Sequence, residues 1–276
     1  MKTCLKLFLI CVLLASCFTK KQNEFKIAKD EKLTFIFDFD ATMYNFNKDS
    51  AYFDQIYYSI VGGDEKKMAK YQAFVSDLIK TQKEHDVVKN IAAKYYKNVS
   101  KKDLNFAIGK IIKHQTPGLG NVIKKLKSQG HQVLIIGGSA FGCGIIPDFV
   151  KEFGTSKSDI YSGYFKDFSK QSLQTAFKFD TTNFEYVNCA NPDSHTVYSK
   201  KKSDLIKLLK KEGKIKGKVV HIGDGENDLE VWKAKEADIF IGFGVNRYSK
   251  KVEAGSEIYV KTMDEFETEI KKILHN

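Results

Sequence analysis

The chain has 276 residues, 42% of them hydrophobic and 29% charged, which is enough apolar material for a full core and excludes a disordered or wholly membrane-embedded protein. The formal charge of +11 comes almost entirely from lysine, since Arg247 is the only arginine. The lysines are spread along solvated helix faces, and without an arginine-aromatic cluster or zinc-finger spacing the basic balance does not point to nucleic acid.

At the N-terminus Lys2 and Lys6 flank the start of an apolar run that extends to Leu14 and is followed by the small residues Ala15 and Ser16. This layout predicts a signal peptide over residues 1–17. The run falls short of the roughly 20 apolar residues that span a bilayer, which favours cleavage over an uncleaved anchor. Leu14-Ala15-Ser16-Cys17 also resembles the lipobox of bacterial lipoproteins, and a lipid on Cys17 would then be the membrane attachment. Export is therefore expected, either soluble or lipid-anchored. Three of the five cysteines lie in this segment, so Cys143 and Cys189 allow at most one disulfide in the folded part.

Leu33 to Phe37 form an unbroken apolar, β-favouring run, as expected of a strand buried on both faces of a parallel sheet. From residue 45 to 113 the composition turns polar and lysine-rich with helical spacing and no proline, which predicts a helical insertion. Thr116-Pro117-Gly118 breaks the chain before a helix marked by Val122, Ile123 and Leu126 and closed by Gly130. Val133 to Ile136 is the next buried strand. The alternation continues with a helix bearing Leu205, Leu208 and Leu209, strands at 219–222, 239–241 and 258–260, and a final helix opened by the capping box Thr262-Met263-Asp264-Glu265. Such alternation predicts an α/β fold with a doubly wound parallel sheet, whose ligand crevice lies beyond the carboxyl ends of the strands.

The acidic motifs fall at those ends. Asp38-Phe39-Asp40-Ala41-Thr42 follows the first strand, and its two-residue spacing can turn both carboxylates to one side, a pair able to divide nucleophilic attack or metal binding from proton transfer. Gly223-Asp224-Gly225-Glu226-Asn227-Asp228 follows another strand and packs two carboxylates and two glycines into a tight loop, with Asp224 and Asp228 sharing a face if a helix begins there. Hard oxygen ligands of this kind suit Mg2+. His221 lies inside a strand pattern and reads as a core residue.

These two motifs resemble those of the haloacid-dehalogenase superfamily of phosphatases, which read Asp-x-Asp-x-Thr and Gly-Asp-Gly-x-Asn-Asp in the same order. The insertion resembles the cap of the phosphoserine-phosphatase-like branch. The resemblance implies a Rossmann-like core over residues 18–44 and 114–276, a cap over 45–113, and Mg2+-dependent hydrolysis of a small-molecule phosphomonoester through an aspartyl-phosphate. It further implies Asp38 as nucleophile, Asp40 as general acid and base, Mg2+ held by Asp38, the Asp40 carbonyl and Asp224, and Asp228 in support. The family's third motif is a lysine ahead of a helix, and among Lys200, Lys201 and Lys202 the spacing to the Leu205 helix selects Lys202 for catalysis and for the substrate phosphate. The second motif departs from the pattern. A serine or threonine is expected directly after the strand, but Gly137 and Gly138 precede Ser139, so phosphate is expected to meet Ser139 or the loop backbone at Gly138. That departure motivates the alternatives of a degenerate, non-catalytic binding protein and of phosphoryl transfer to an acceptor other than water.

Overall fold

The structure, a computed structural model, describes residues 31–45, 52–81, 90–91, 94–96, 99–138, 142–165, 184–191 and 201–275. The expected signal segment with Cys17, Lys200 and Ser139 lie outside the described residues. Lys32–Glu269 form one compact unit.

Among the described residues seven strands form one sheet: β1 (Thr34–Phe37), β2 (Gln132–Gly137), β3 (Ile160–Phe165), β4 (Phe184–Asn188), β5 (Val219–Gly223), β6 (Ile239–Phe243) and β7 (Ile258–Val260). Their spatial order is β4-β3-β2-β1-β5-β6-β7. β1 lies between β2 and β5, parallel to both, with Phe37 level with Ile135 and Ile222. The sheet is parallel, as expected, except at one edge, where β4 runs antiparallel to β3. An antiparallel strand at the edge of a parallel sheet is common in doubly wound folds, and the short, polar-interrupted segment Phe184–Asn188 carries no sign of direction in its sequence.

The strands are apolar on both faces because helices cover both. On one face Ile36, Leu134 and Ile136 pack with Leu205, Ile206 and Leu209 of α6 (Lys202–Lys211). On the other, Phe37 meets Phe266 edge-on at 6.4 Å, and Phe266 also meets Phe243 at 5.3 Å. Phe266 belongs to α9 (Met263–His275), whose start is closed as a capping box by Thr262 and Glu265. The remaining helices are α1 (Tyr52–Ile60), α2 (Glu65–Thr81), α3 (Lys101–Ile111), α4 (Leu119–Ser128), α5 (Gly142–Phe149), α7 (Glu226–Lys233) and α8 (Lys250–Gly255). No helix among the described residues is long and apolar enough to cross a membrane.

α1, α2 and α3 fall in the stretch expected to be an insertion. The chain departs at Tyr44 and Asn45 and returns beside them, since Tyr44 bridges Gln115 and the Asn45 N–H donates to the His114 carbonyl at 2.8 Å. Ser100 caps α3 in a reciprocal box with Asp103, whose other carboxylate oxygen accepts from Ser59 at 2.6 Å and so ties α1 to α3. Tyr57 stacks on Tyr71 at 4.6 Å, and the Tyr71 and Tyr96 hydroxyls share a hydrogen bond of 2.7 Å. Asp54 lies against the same Tyr71 hydroxyl, and burial pushes its carboxyl up to about 6. Elsewhere Cys143, at the start of α5, is joined to Cys189, one residue past β4.

Candidate active site

The sheet reverses its winding at β1 and β5, the switch point at which doubly wound folds open a crevice. Asp38 continues the ladder there, its N–H donating to the Ile222 carbonyl at 2.8 Å. The backbone then turns sharply, and Ala41 adopts a left-handed conformation (φ 55°) that an L side chain enters only at a cost. Thr42 ends the turn with its hydroxyl donating to Asp38 Oδ2 over a long 3.4 Å. Asn246, past β6, clamps the turn from outside by donating to the Thr42 carbonyl at 3.1 Å and the Thr116 hydroxyl at 2.6 Å. Asp40 is held by the Tyr44 hydroxyl, which donates to its Oδ1 at 2.8 Å, while the Tyr44 ring packs on Phe39 and Phe149.

On β5 the Gly-Asp-Gly loop runs straight into α7. A Cβ at Gly223 would lie 2.2 Å from Asp228 Cγ, so the absent side chain is what lets the carboxylate fold back over the strand end. Asp228 Oδ2 accepts the Gly225 N–H at 3.1 Å, closing the first turn of the helix. Its Oδ1 accepts from Lys202 Nζ at 2.6 Å and faces His221 Nε2 at 3.0 Å. Lys202, the first residue of α6, reaches across to Asp38 Oδ1 as well, at 2.7 Å. Its side chain is 1% exposed, so the shared ammonium works with little help from solvent.

Asp38, Asp224 and Asp228 are all buried and each offers an oxygen within 4.8 Å of the others. One ammonium cannot neutralise three carboxylates. Burial would raise Asp228, but Lys202 and His221 outweigh it and hold that carboxyl well below the usual range. Asp38 is pushed well up by burial and by the charge on Asp228, which Lys202 only partly offsets. Burial likewise lifts Asp224 to about 7 against the pull of Arg247. Lys202 is itself held charged, because Asp228 and Asp38 overcome the desolvation that would lower it.

A divalent cation fits this donor set. Asp224 Oδ2 is buried and paired with Arg247 Nε at 2.6 Å, and a carboxylate oxygen engaged by one cation still offers a second lone pair to an ion. Asp38 Oδ2, engaged among the described residues by the long Thr42 contact, is the other weakly held oxygen. Three carboxylate oxygens at this spacing are hard ligands of the kind Mg2+ takes alongside water.

Of the residues expected from sequence, Asp38, Lys202, Asp224 and Asp228 converge in one buried cluster, with Asp40 two residues along the same turn. Gly138 lies at the carboxyl end of β2, close to Asn227 of the acidic loop. His221 and Arg247 are the site residues that sequence reasoning passed over. His221 is indeed buried in the core and stacked on Phe240, but its Nε2 contacts Asp228. A histidine inside an otherwise aliphatic strand and the single arginine of the chain were the available signals.

The fold and the site define a doubly wound α/β protein with a lysine-bridged carboxylate cluster at its switch point. No family model matches the sequence. Bovine phosphoserine phosphatase is 29% identical over 147 residues, which cover 53% of this chain and 57% of that protein. The chain thus spans little more than half the length of the curated relative it matches. A phosphoserine phosphohydrolase-like protein from Francisella tularensis superposes with a TM-score of 0.63 at 20% identity, over 86% of this chain and 99% of that one. A phospho-aspartyl intermediate analogue of phosphoserine phosphatase gives 0.57 at 19% identity, over 87% and 99%. In sequence, over about half its length, the chain is similar to phosphoserine phosphatases, and it shares the fold of phosphoserine-phosphatase-like structures.

Proposed function

We propose that this protein is an exported, Mg2+-dependent phosphomonoesterase acting on a small-molecule ester. The observation that carries the reading is the Asp38 carboxylate, buried at the switch point, bridged by Lys202 at 2.7 Å and grouped with Asp224 and Asp228. Asp38 attacks phosphorus and the ester oxygen leaves as an alcohol, protonated by Asp40; water, deprotonated by Asp40, then hydrolyses the aspartyl-phosphate to regenerate Asp38. Tyr44 orients Asp40 for both transfers. Lys202 offsets charge on Asp38 and on the phosphoryl oxygens. Asp38, the Asp40 carbonyl and Asp224 would hold Mg2+, with Asp228 in support. The ion supplies charge screening that lets an anionic carboxylate approach an anionic ester.

Residues 45–113 are read as a cap that selects the substrate and excludes water, a reading supported by the paired exit and return of the chain at Tyr44 and Gln115. Export is supported by the apolar N-terminal segment and by the Cys143–Cys189 disulfide, a bond that persists in oxidising compartments. The direct test is phosphate release from p-nitrophenyl phosphate and phosphoserine with Mg2+ or with EDTA, by the purified protein and by Asp38→Asn. Release that needs the metal and disappears in the variant is expected. A folded protein that releases no phosphate from any ester sinks the reading.

A further inference from the structure

The second motif lacks a hydroxyl directly after its strand, and another element reaches the same place. A Cβ built on Gly138 would sit 3.8 Å from Tyr186 Oη and 3.9 Å from Asn227 Nδ2. The direction in which a side chain at 138 would project therefore leads to two polar groups, one from the acidic loop and one from β4. Strand register explains the meeting. Gly137 pairs with Ser162, and the next residue, Gly163, pairs with Tyr186, so Tyr186 stands one step beyond Gly137 toward the carboxyl edge, level with Gly138. Tyr186 belongs to the buried cluster that also holds Leu134, Ile136, Leu205 and Ile206, on the face of the sheet covered by α6. That face leads to Lys202 at the start of the helix. Tyr186 is 4% exposed, and a tyrosine so deeply buried holds its hydroxyl against a polar partner.

We infer that Tyr186 is a phosphate ligand of this site, its hydroxyl donating to a non-bridging phosphoryl oxygen beside Gly138, at the carboxyl end of β2. The inference rests on the phosphatase reading and extends it to a strand outside the four motifs. A hydrogen bond to a charged oxygen typically contributes a factor of about ten or more to affinity.

The test compares wild type, Tyr186→Phe, Gly138→Ser and the double variant by melting temperature, by calorimetric titration of orthovanadate with Mg2+, and by kcat and KM for p-nitrophenyl phosphate. Tyr186→Phe is expected to weaken vanadate about tenfold while melting near wild type, because the ring and its packing remain. A serine at 138 meets only ordinary van der Waals distances, and in the Tyr186→Phe background it is expected to restore most of the lost affinity. Vanadate affinity and turnover within twofold of wild type in Tyr186→Phe would overturn the inference and leave the phosphatase reading intact. An affinity loss that only follows the melting temperature and that Gly138→Ser does not rescue would overturn it too. A wild type that binds no vanadate removes both.

Discussion

Lys202 Nζ lies 2.6 Å from Asp228 and 2.7 Å from Asp38, so one buried ammonium joins the first carboxylate motif to the last. Removing it leaves the cluster uncompensated, and breaking a buried pair in this way costs about 3 kcal/mol. Lys202→Met is expected to lower the melting temperature clearly and to reduce phosphate release by at least about a hundredfold. Lys202→Arg is expected to restore neither, because a planar guanidinium does not fit a point contact between two carboxylates. Thermal melts beside steady-state assays check both.

Arg247 Nε sits 2.6 Å from Asp224 Oδ2, an oxygen well placed for an ion. The arginine side chain is 45% exposed, so solvent discounts its hold to about 1 kcal/mol. Arg247→Ala is expected to tighten Mg2+ binding severalfold by calorimetry. Unchanged or weaker binding would show that the arginine does not compete with the cation.

Asp54, raised to about 6 by burial against Tyr71, gives the helices of residues 52–81 a pH dependence. A carboxyl whose folded pKa exceeds its unfolded one binds more protons when folded, so stability falls as pH rises from about 4 to 6 and stays low above that. Asp54→Asn keeps an acceptor for the tyrosine and is expected to flatten this slope, gaining on the order of 2 kcal/mol at pH 7. Chemical denaturation at pH 4.5 and pH 7 measures the difference.

The Cys143–Cys189 bond closes a loop with a sequence separation of 46, for which chain entropy predicts about 2–4 kcal/mol of stabilisation. Replacing both cysteines by serine is expected to lower the melting temperature, and reductant is expected to bring wild type to the same value. Equal melts for oxidised, reduced and doubly substituted protein would refute the contribution.

The five strands read from sequence were legible because burial on both faces demands continuous apolar runs, as in the sequences of β1 and β2. β3 escaped because Ser162 and Gly163 interrupt the pattern, and β4 because it is a short run broken by Glu185 and Asn188. Ser162 is fully buried, yet it satisfies its hydroxyl locally on the Gly137 carbonyl, an arrangement with no trace in hydropathy. The acidic loops were legible because their chemistry is written in consecutive residues. Lys202 could be chosen by its distance from an apolar helix, whereas His221 meets Asp228 only once α7 folds back over the end of β5, and Arg247 meets Asp224 only once β5 and β6 pair.

The central strand is also the first in sequence among the described residues. The Thr34 hydroxyl is bonded to groups 98 and 182 residues further on, at Gln132 and Lys216. During synthesis β1 must wait for almost the whole polypeptide before both of its edges are paired, a topology that slows folding. Asp38 has neither its lysine nor its companion carboxylates until that moment. A chain that ends before β5 holds Asp38 without Asp224 and Asp228, so the buried cluster assembles as one late event rather than piece by piece.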